Sequence, residues 1–249
     1  MIDLTNLDFS PLWDYRATLL WGLLTTLWMG IVAFALAVPA GILLALGRLR
    51  TGWVGWLLRV PIVAFVDVIR FTPLLVQAVW IHFALPALTG HSTSATTSGL
   101  VALTLHVSAY VSEIMRAGII AIPKGQWEAA RALGLRPRSV FRKVILPQVW
   151  PLVLPPLANV AVATLKLTAI LSILAIDDLM KVANRVNTFV FRPLEIFTVV
   201  AVVYLLLGLA LTWVARRIER RFGAGRVRVP MTAVAPTLAP IPAGGRHGA

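Results

Sequence analysis

Long stretches without a formal charge alternate along this chain with short polar segments. No Asp, Glu, Lys or Arg occurs from Ala17 to Gly47, from Phe71 to Ser112, from Val144 to Leu165 or from Ile196 to Ala215. About 20 apolar residues suffice for a helix to cross the hydrocarbon layer of a bilayer, and each run reaches that length. With the polar breaks, the pattern predicts five spans near 17–46, 57–86, 98–121, 150–175 and 196–215. Pro73, Pro147, Pro151, Pro155 and Pro156 read as helix boundaries or kinks. The connection PALTGHSTSATTSG is uncharged and turn-rich, as a short exposed loop should be.

Composition turns this pattern into a class. Of 249 residues, 59% are apolar and 13% charged, with a mean hydropathy of +0.84, which a soluble domain has no use for. The expected fold is therefore all-α and integral to the membrane. Trp13, Tyr15, Trp53, Trp56, Trp150 and Trp213 lie near run ends, where aromatic belts form. The opening MIDLTNLDFSPLWDYR carries three Asp and lacks the basic start of a cleaved signal, so the first span is expected to stay. Cysteine is absent, which removes disulfides and thiol chemistry. No G-x-S-x-G, H-E-x-x-H or G-x-x-x-x-G-K-[ST] pattern occurs, so neither a catalytic site nor an ATP-binding loop is visible.

Charge then orients the spans. Most of the Lys and Arg residues fall in 48–59, in 116–143 and from 216 onward. The positive-inside rule places those segments in the cytoplasm, with the N-terminus outside and the C-terminus inside. The expected organisation is a periplasmic segment over 1–16, a membrane domain over 17–221 and a disordered cytoplasmic tail over 222–249, rich in Ala, Pro and Gly. Topology accounts for the net charge of +13, and with no aromatic-interleaved basic patch or nucleic-acid motif, nucleic acid is not an expected partner.

One cytoplasmic segment, about 123–148, contains GQWEAARALGLRPRSVFRKVILPQ. Gln126 to Leu133 favours a helix with Glu128 in its first turn, Gly134 ends it, and Pro137 opens a second helix that Pro147 closes. A helix of about eight residues, roughly 12 Å, is not stable alone in water. It docks on another surface through Trp127, Leu133 and the small Ala129 and Ala130, or it lies on lipid headgroups helped by Arg131, Arg136, Arg138, Arg142 and Lys143.

The order Glu128-Ala129-Ala130, three residues, Gly134, nine residues, then Val144-Ile145-Leu146-Pro147 resembles the EAA loop of ABC importer permeases, with Val144 for the usual Ile. The resemblance extends from about Leu20 to Arg221 and is closest to the polar amino-acid uptake subfamily. Its motifs are matched by Arg70-Phe71-Thr72-Pro73-Leu74-Leu75-Val76-Gln77, by Ala109-Tyr110-Val111-Ser112-Glu113-Ile114-Met115-Arg116-Ala117-Gly118, by Pro123-Lys124-Gly125-Gln126-Trp127-Glu128 and by Lys166-Leu167-Thr168-Ala169-Ile170. Phe71 departs from a usual Gly, and Leu167 and Ala169 replace positions that often hold Asp and Ser. The resemblance implies a type I importer permease (MetI-like) fold in the bacterial inner membrane. It also implies that Gly125, Trp127, Glu128, Ala129, Ala130, Gly134, Leu146 and Pro147 couple to a cytoplasmic ATP-binding subunit dimer. ATP and Mg would then sit on that partner, with no cofactor on this chain. Five spans are too few to enclose a path alone, so a second, identical or related permease is expected, with a periplasmic or lipid-anchored solute-binding protein outside.

Ionisable residues at bilayer depth cost roughly 2.5 to 3.5 kcal/mol on insertion scales and so invite a functional reading. Lys166 falls about 24 Å along its span, where it either snorkels to the headgroups or lines a path. Glu113 with Arg116, and Asp67 with Arg70, stand at i, i+3 and can pair. The sharper reading has Arg70, Glu113, Arg116 and Lys166, with Thr72 and Thr168 beside them, surround a cavity that receives a small zwitterionic solute. His82 and His106 are single histidines suited to packing or one interhelical hydrogen bond, and no metal site is expected. Opines or ectoine-type compatible solutes are alternative cargoes, and a self-sufficient secondary transporter is the alternative of another class.

Overall fold

The computed structural model describes residues 7–222, in which all regular structure is helical. A short α1 (Ser10–Asp14) leads into α2 (Arg16–Arg48), which is long and apolar enough to cross a bilayer. One side of α2 is a stripe of small residues, with Gly30, Ala33, Ala37, Gly41 and Ala45 all buried. Lipid tails are as apolar as leucine, so close backbone approach rather than hydrophobic expulsion holds such helices together. At Gly41 a Cβ would come within 2.6 Å of the Val111 side chain and 2.7 Å of the Ser108 carbonyl oxygen. Those two residues belong to α6 (Ala95–Ile120), the most enclosed helix, against which α2 packs.

Between α2 and α6 the span expected over 57–86 is broken at Pro73, one of the prolines read as a boundary or kink. Helix α3 (Gly52–Phe71) stops, α4 (Leu74–Val79) begins, and a π-helical turn at Trp80–Ala84 continues into α5 (Leu85–Thr89). The two halves meet at 108°. Pro73 forces Thr72 into extended backbone (φ −101°, ψ 139°), which no helix can absorb. The carbonyls freed at the break are met from within: buried Gln77 donates through Nε2 to Ile69 O (2.7 Å) and Thr72 O (3.0 Å), and Thr72 Oγ1 donates to Val68 O (2.8 Å). Gln77 Oε1 also lies 3.1 Å from His106 Nδ1, while His82 Nδ1 lies 3.0 Å from Ser98 Oγ, so each histidine has the interhelical bond its sequence context suggested.

After α6 come α7 (Lys124–Ala132) and α8 (Pro137–Val140). A second π-helical turn, Phe141–Ile145, joins α8 to α9 (Leu146–Leu167), and a 3₁₀ segment, Thr168–Leu174, follows. The closure expected at Pro147 is thus corrected, because Pro137–Leu174 runs as one span-like helix of 38 residues. The wider π-turn, in which Leu146 N–H reaches back to Phe141 O, makes room for a proline ring that an ordinary α-turn would reject.

The expected spans left out α10 (Leu179–Val190), a helix between the fourth and fifth spans. Asp178 caps it, its Oδ1 accepting from Lys181 N at 2.9 Å, and Leu179 N–H is held by Thr26 Oγ1 of α2 at 3.1 Å. The final span, α11 (Pro193–Phe222), is tied at its start to the N-terminal segment, with Arg192 bridging Asp8 (3.5 Å) and Glu195 (3.4 Å). The tail expected to be disordered lies, beyond residue 222, outside the described residues.

Candidate functional site

Two places answer to the candidate residues, and they are built differently. The first is α7 with its turn. Gly134 adopts φ +71°, the left-handed conformation that glycine tolerates without strain. Its N–H bonds Arg131 O (2.9 Å) and the next N–H, of Leu135, bonds Ala130 O (3.4 Å), so the turn satisfies two carbonyls that the helix end would leave free. The helix turns Ala130 (buried) and Trp127 (half-buried) toward its own chain, packing on α8 and the π-turn that carry Val140 and Ile145. Gln148 Nε2 reaches Val144 O (2.8 Å) and Gln126 Oε1 (3.3 Å), tying α7 to the start of α9. The outward face carries Gly125, Glu128 and Ala129, while Leu133 is 79% exposed. Pro147 is exposed and Leu146 half-buried on the helix behind.

The second place surrounds Glu113 on α6. Arg48 Nη1 donates to its Oε2 at 2.7 Å, Arg116 Nη2 donates to Oε1, and Arg70 Nη1 stands 3.8 Å from Oε2. One carboxylate is thus shared by three guanidinium groups from α2, α3 and α6, and Arg70 also lies over the Tyr110 ring at 5.8 Å. The Glu113–Arg116 pair expected from spacing is present. The Asp67–Arg70 pair is not formed; Arg70 turns toward Glu113 on α6 instead. Arg48 entered the sequence reading only through the charge count. Its side chain is 10% exposed, and its Nε is buried without a partner.

Lys166 does not join this group. It lines a separate cleft of about 410 Å³ between α9 and α11 with Val162, Tyr204, Leu205, Gly208, Leu209 and Thr212. Thr168 is fully buried and donates its hydroxyl to Leu165 O (2.8 Å), and Thr72 sits at the α3–α4 break. Between the fourth span and α10 lies a further buried acid that sequence reading passed over. Asp178 is wholly enclosed, its Oδ2 has no partner, and burial pushes its carboxyl up to about 6. Its only advance signal was the position of an Asp just before a helix, and the helix itself was not foreseen.

Comparison with known proteins places this architecture. The chain is 34% identical over 215 residues to the glutamine transport system permease protein GlnP of Escherichia coli strain K12, covering 86% of this chain and 97% of that protein. It is 33% identical over 220 residues to the arginine transport system permease protein ArtQ of Bacillus subtilis strain 168, covering 87% and 97%. A crystal structure of an amino acid ABC transporter with histidines superposes with a TM-score of 0.80 at 34% identity, covering 87% of this chain and 99% of that one. The inward-facing MetNI methionine transporter shares the fold at 22% identity and a TM-score of 0.69, covering 84% and 98%. The model of the family described as binding-protein-dependent transport system inner membrane component matches residues 37–224, and the chain belongs to that family, as a multi-pass permease component of the inner membrane.

Proposed function

We propose that this chain carries polar amino acids across the inner membrane as one of two permease subunits, driven by a separate ATP-binding subunit dimer. The observation that supports the reading best is α7, a helix of nine residues with one face fixed to its own chain and the other bare. A preformed, exposed ridge of this size suits a groove on a partner protein, and the resemblance to GlnP and ArtQ makes that partner the ATPase. Gly125, Glu128, Ala129 and Leu133 form the docking face, Trp127, Ala130 and Gly134 set its shape, and Leu146 and Pro147 pass the movement into α9. ATP and Mg act on the partner. A solute-binding protein delivers the cargo on the outer side.

The Glu113 group and Lys166 serve passage at separate sites, a reading supported by Lys166 lining a cleft of its own between α9 and α11. Leu167, where relatives often carry an acid, favours a neutral or zwitterionic amino acid over a strongly cationic one. The test is uptake of labelled glutamine, histidine and arginine by proteoliposomes that contain the chain with its ATPase and binding protein. ATP-dependent uptake that Glu128→Lys abolishes, with the subunit still inserted, is the expected result. Uptake by the chain alone, without ATP, overturns the reading in favour of a secondary carrier.

A further inference from the structure

The end of α11 sets four exposed arginines within six residues. Arg48, Arg70, Arg116, Arg185 and Arg192 all meet a carboxylate. Arg216, Arg217, Arg220 and Arg221, like Arg131, Arg136, Arg138 and Arg142, form no ion pair among the described residues. Residues 223–249 add Arg226, Arg228 and Arg246 and no Asp or Glu, so the sequence supplies no side-chain acid there. Trp213, Arg216, Arg217 and Arg220 follow the i, i+3, i+4, i+7 spacing of one helix face. With Arg221 they line a cleft of about 510 Å³, and the Arg217 guanidinium lies over the Trp213 ring at 5.6 Å. The opposite side of the helix is apolar, where Leu211, Ala215 and Ile218 line a second cleft with Phe34, Leu154 and Leu157.

The basic face begins where the apolar run ends at Ala215 and points away from the bundle, which puts four guanidinium groups and an indole at headgroup depth. Guanidinium groups match phosphate oxygens in bidentate geometry, and Trp at this depth anchors to the interface. We propose that this face is a binding site for the phosphate headgroup of an anionic phospholipid. Lipid rather than protein is the occupant because the cleft opens sideways from the end of a span and is walled by that helix alone.

The full-length chain in neutral detergent is titrated with phosphatidylglycerol, phosphatidylcholine or inorganic phosphate, and bound lipid is counted by native mass spectrometry. Phosphatidylglycerol should bind, weakening about fivefold for each arginine replaced, so that R216Q/R217Q/R220Q/R221Q loses it. The single R217Q should show the first step of that series, which keeps the test decisive if the quadruple variant does not fold. R136Q/R138Q/R142Q/K143Q, in the loop after α7, should bind as wild type. Equal binding of phosphatidylcholine, displacement by inorganic phosphate, equal loss in the loop variant, or undiminished binding by the quadruple variant would each overturn the site. So would loss of the ATPase subunit from the quadruple variant while its lipid binding persists.

Discussion

Arg48 Nη1 stands 2.7 Å from Glu113 Oε2, joining the last residue of α2 to a residue two turns before the end of α6. Breaking a fully buried pair costs about 3–5 kcal/mol, but Glu113 keeps Arg116 and is partly exposed, so Arg48→Gln should cost about 1–3 kcal/mol. Arg70, farther away at 3.8 Å and 31% exposed, should cost less than about 1 kcal/mol as Arg70→Gln. Tryptophan-fluorescence unfolding in detergent ranks the two, and a larger loss for Arg70→Gln would contradict the geometry.

Gly41→Ala tests the contact between α2 and α6. The added methyl meets both a side chain and a backbone oxygen, and overpacking of this kind costs about 1–3 kcal/mol. Adding Val111→Ala should recover only part of the loss, since Ser108 O stays in the way. Full recovery in the double variant would show that the backbones part easily.

Gly134→Ala isolates backbone strain. Nothing lies within 4 Å of a Cβ at this position, so the cost comes from the positive φ alone, about 1–2 kcal/mol. Gly134→Asn should cost less, because asparagine adopts that conformation more readily. Hydrogen exchange over α7 reads the difference, and equal protection in glycine and alanine forms would rule the strain out.

Asp178 predicts a pH dependence. Burial lifts its carboxyl from 3.8 to about 6, so between those values the folded chain holds a proton that the unfolded chain has released. Stability from this group is therefore greatest below the lower value and declines as pH rises to about 6, by about 3 kcal/mol in all. Asp178→Asn keeps the helix cap and removes the titration. The variant should match or exceed wild type above pH 6, with a flatter melting profile from pH 4 to 7. A wild-type slope retained in the variant would assign the effect elsewhere.

Apolar patterning made α2, α6 and α11 legible because each is a single uninterrupted run whose charges lie near its ends. Gly134 was legible because its turn depends on the identity of one residue. The break at Thr72–Pro73 was only half visible. Pro73 signalled a boundary, but the oil continues on both sides, and the turn through 108° depends on Gln77 reaching back to carbonyls several residues away. Arg48 was hidden for a similar reason, since counting charges by side of the membrane says nothing about which acid a guanidinium finds. Helix α10 carries its apolar face at Leu179, Val182, Ala183 and Val186, an i, i+3, i+4, i+7 pattern that was missed because, at 12 residues, the helix is short beside the long charge-free spans.

The helix from Pro137 to Leu174 has a mechanical consequence. Its 38 residues extend roughly 57 Å, nearly twice the thickness of the hydrocarbon layer, so one rod reaches from the surface that grips α7 to the level of Lys166. If α7 docks on a partner as proposed, a push on it would tilt that rod like an oar in its lock, with the prolines at 151, 155 and 156 as the pivot region and Lys166 on the far blade. Glu113 sits on α6, which joins α7 directly through residues 121–123, so the same push would reach the two charged sites by different routes.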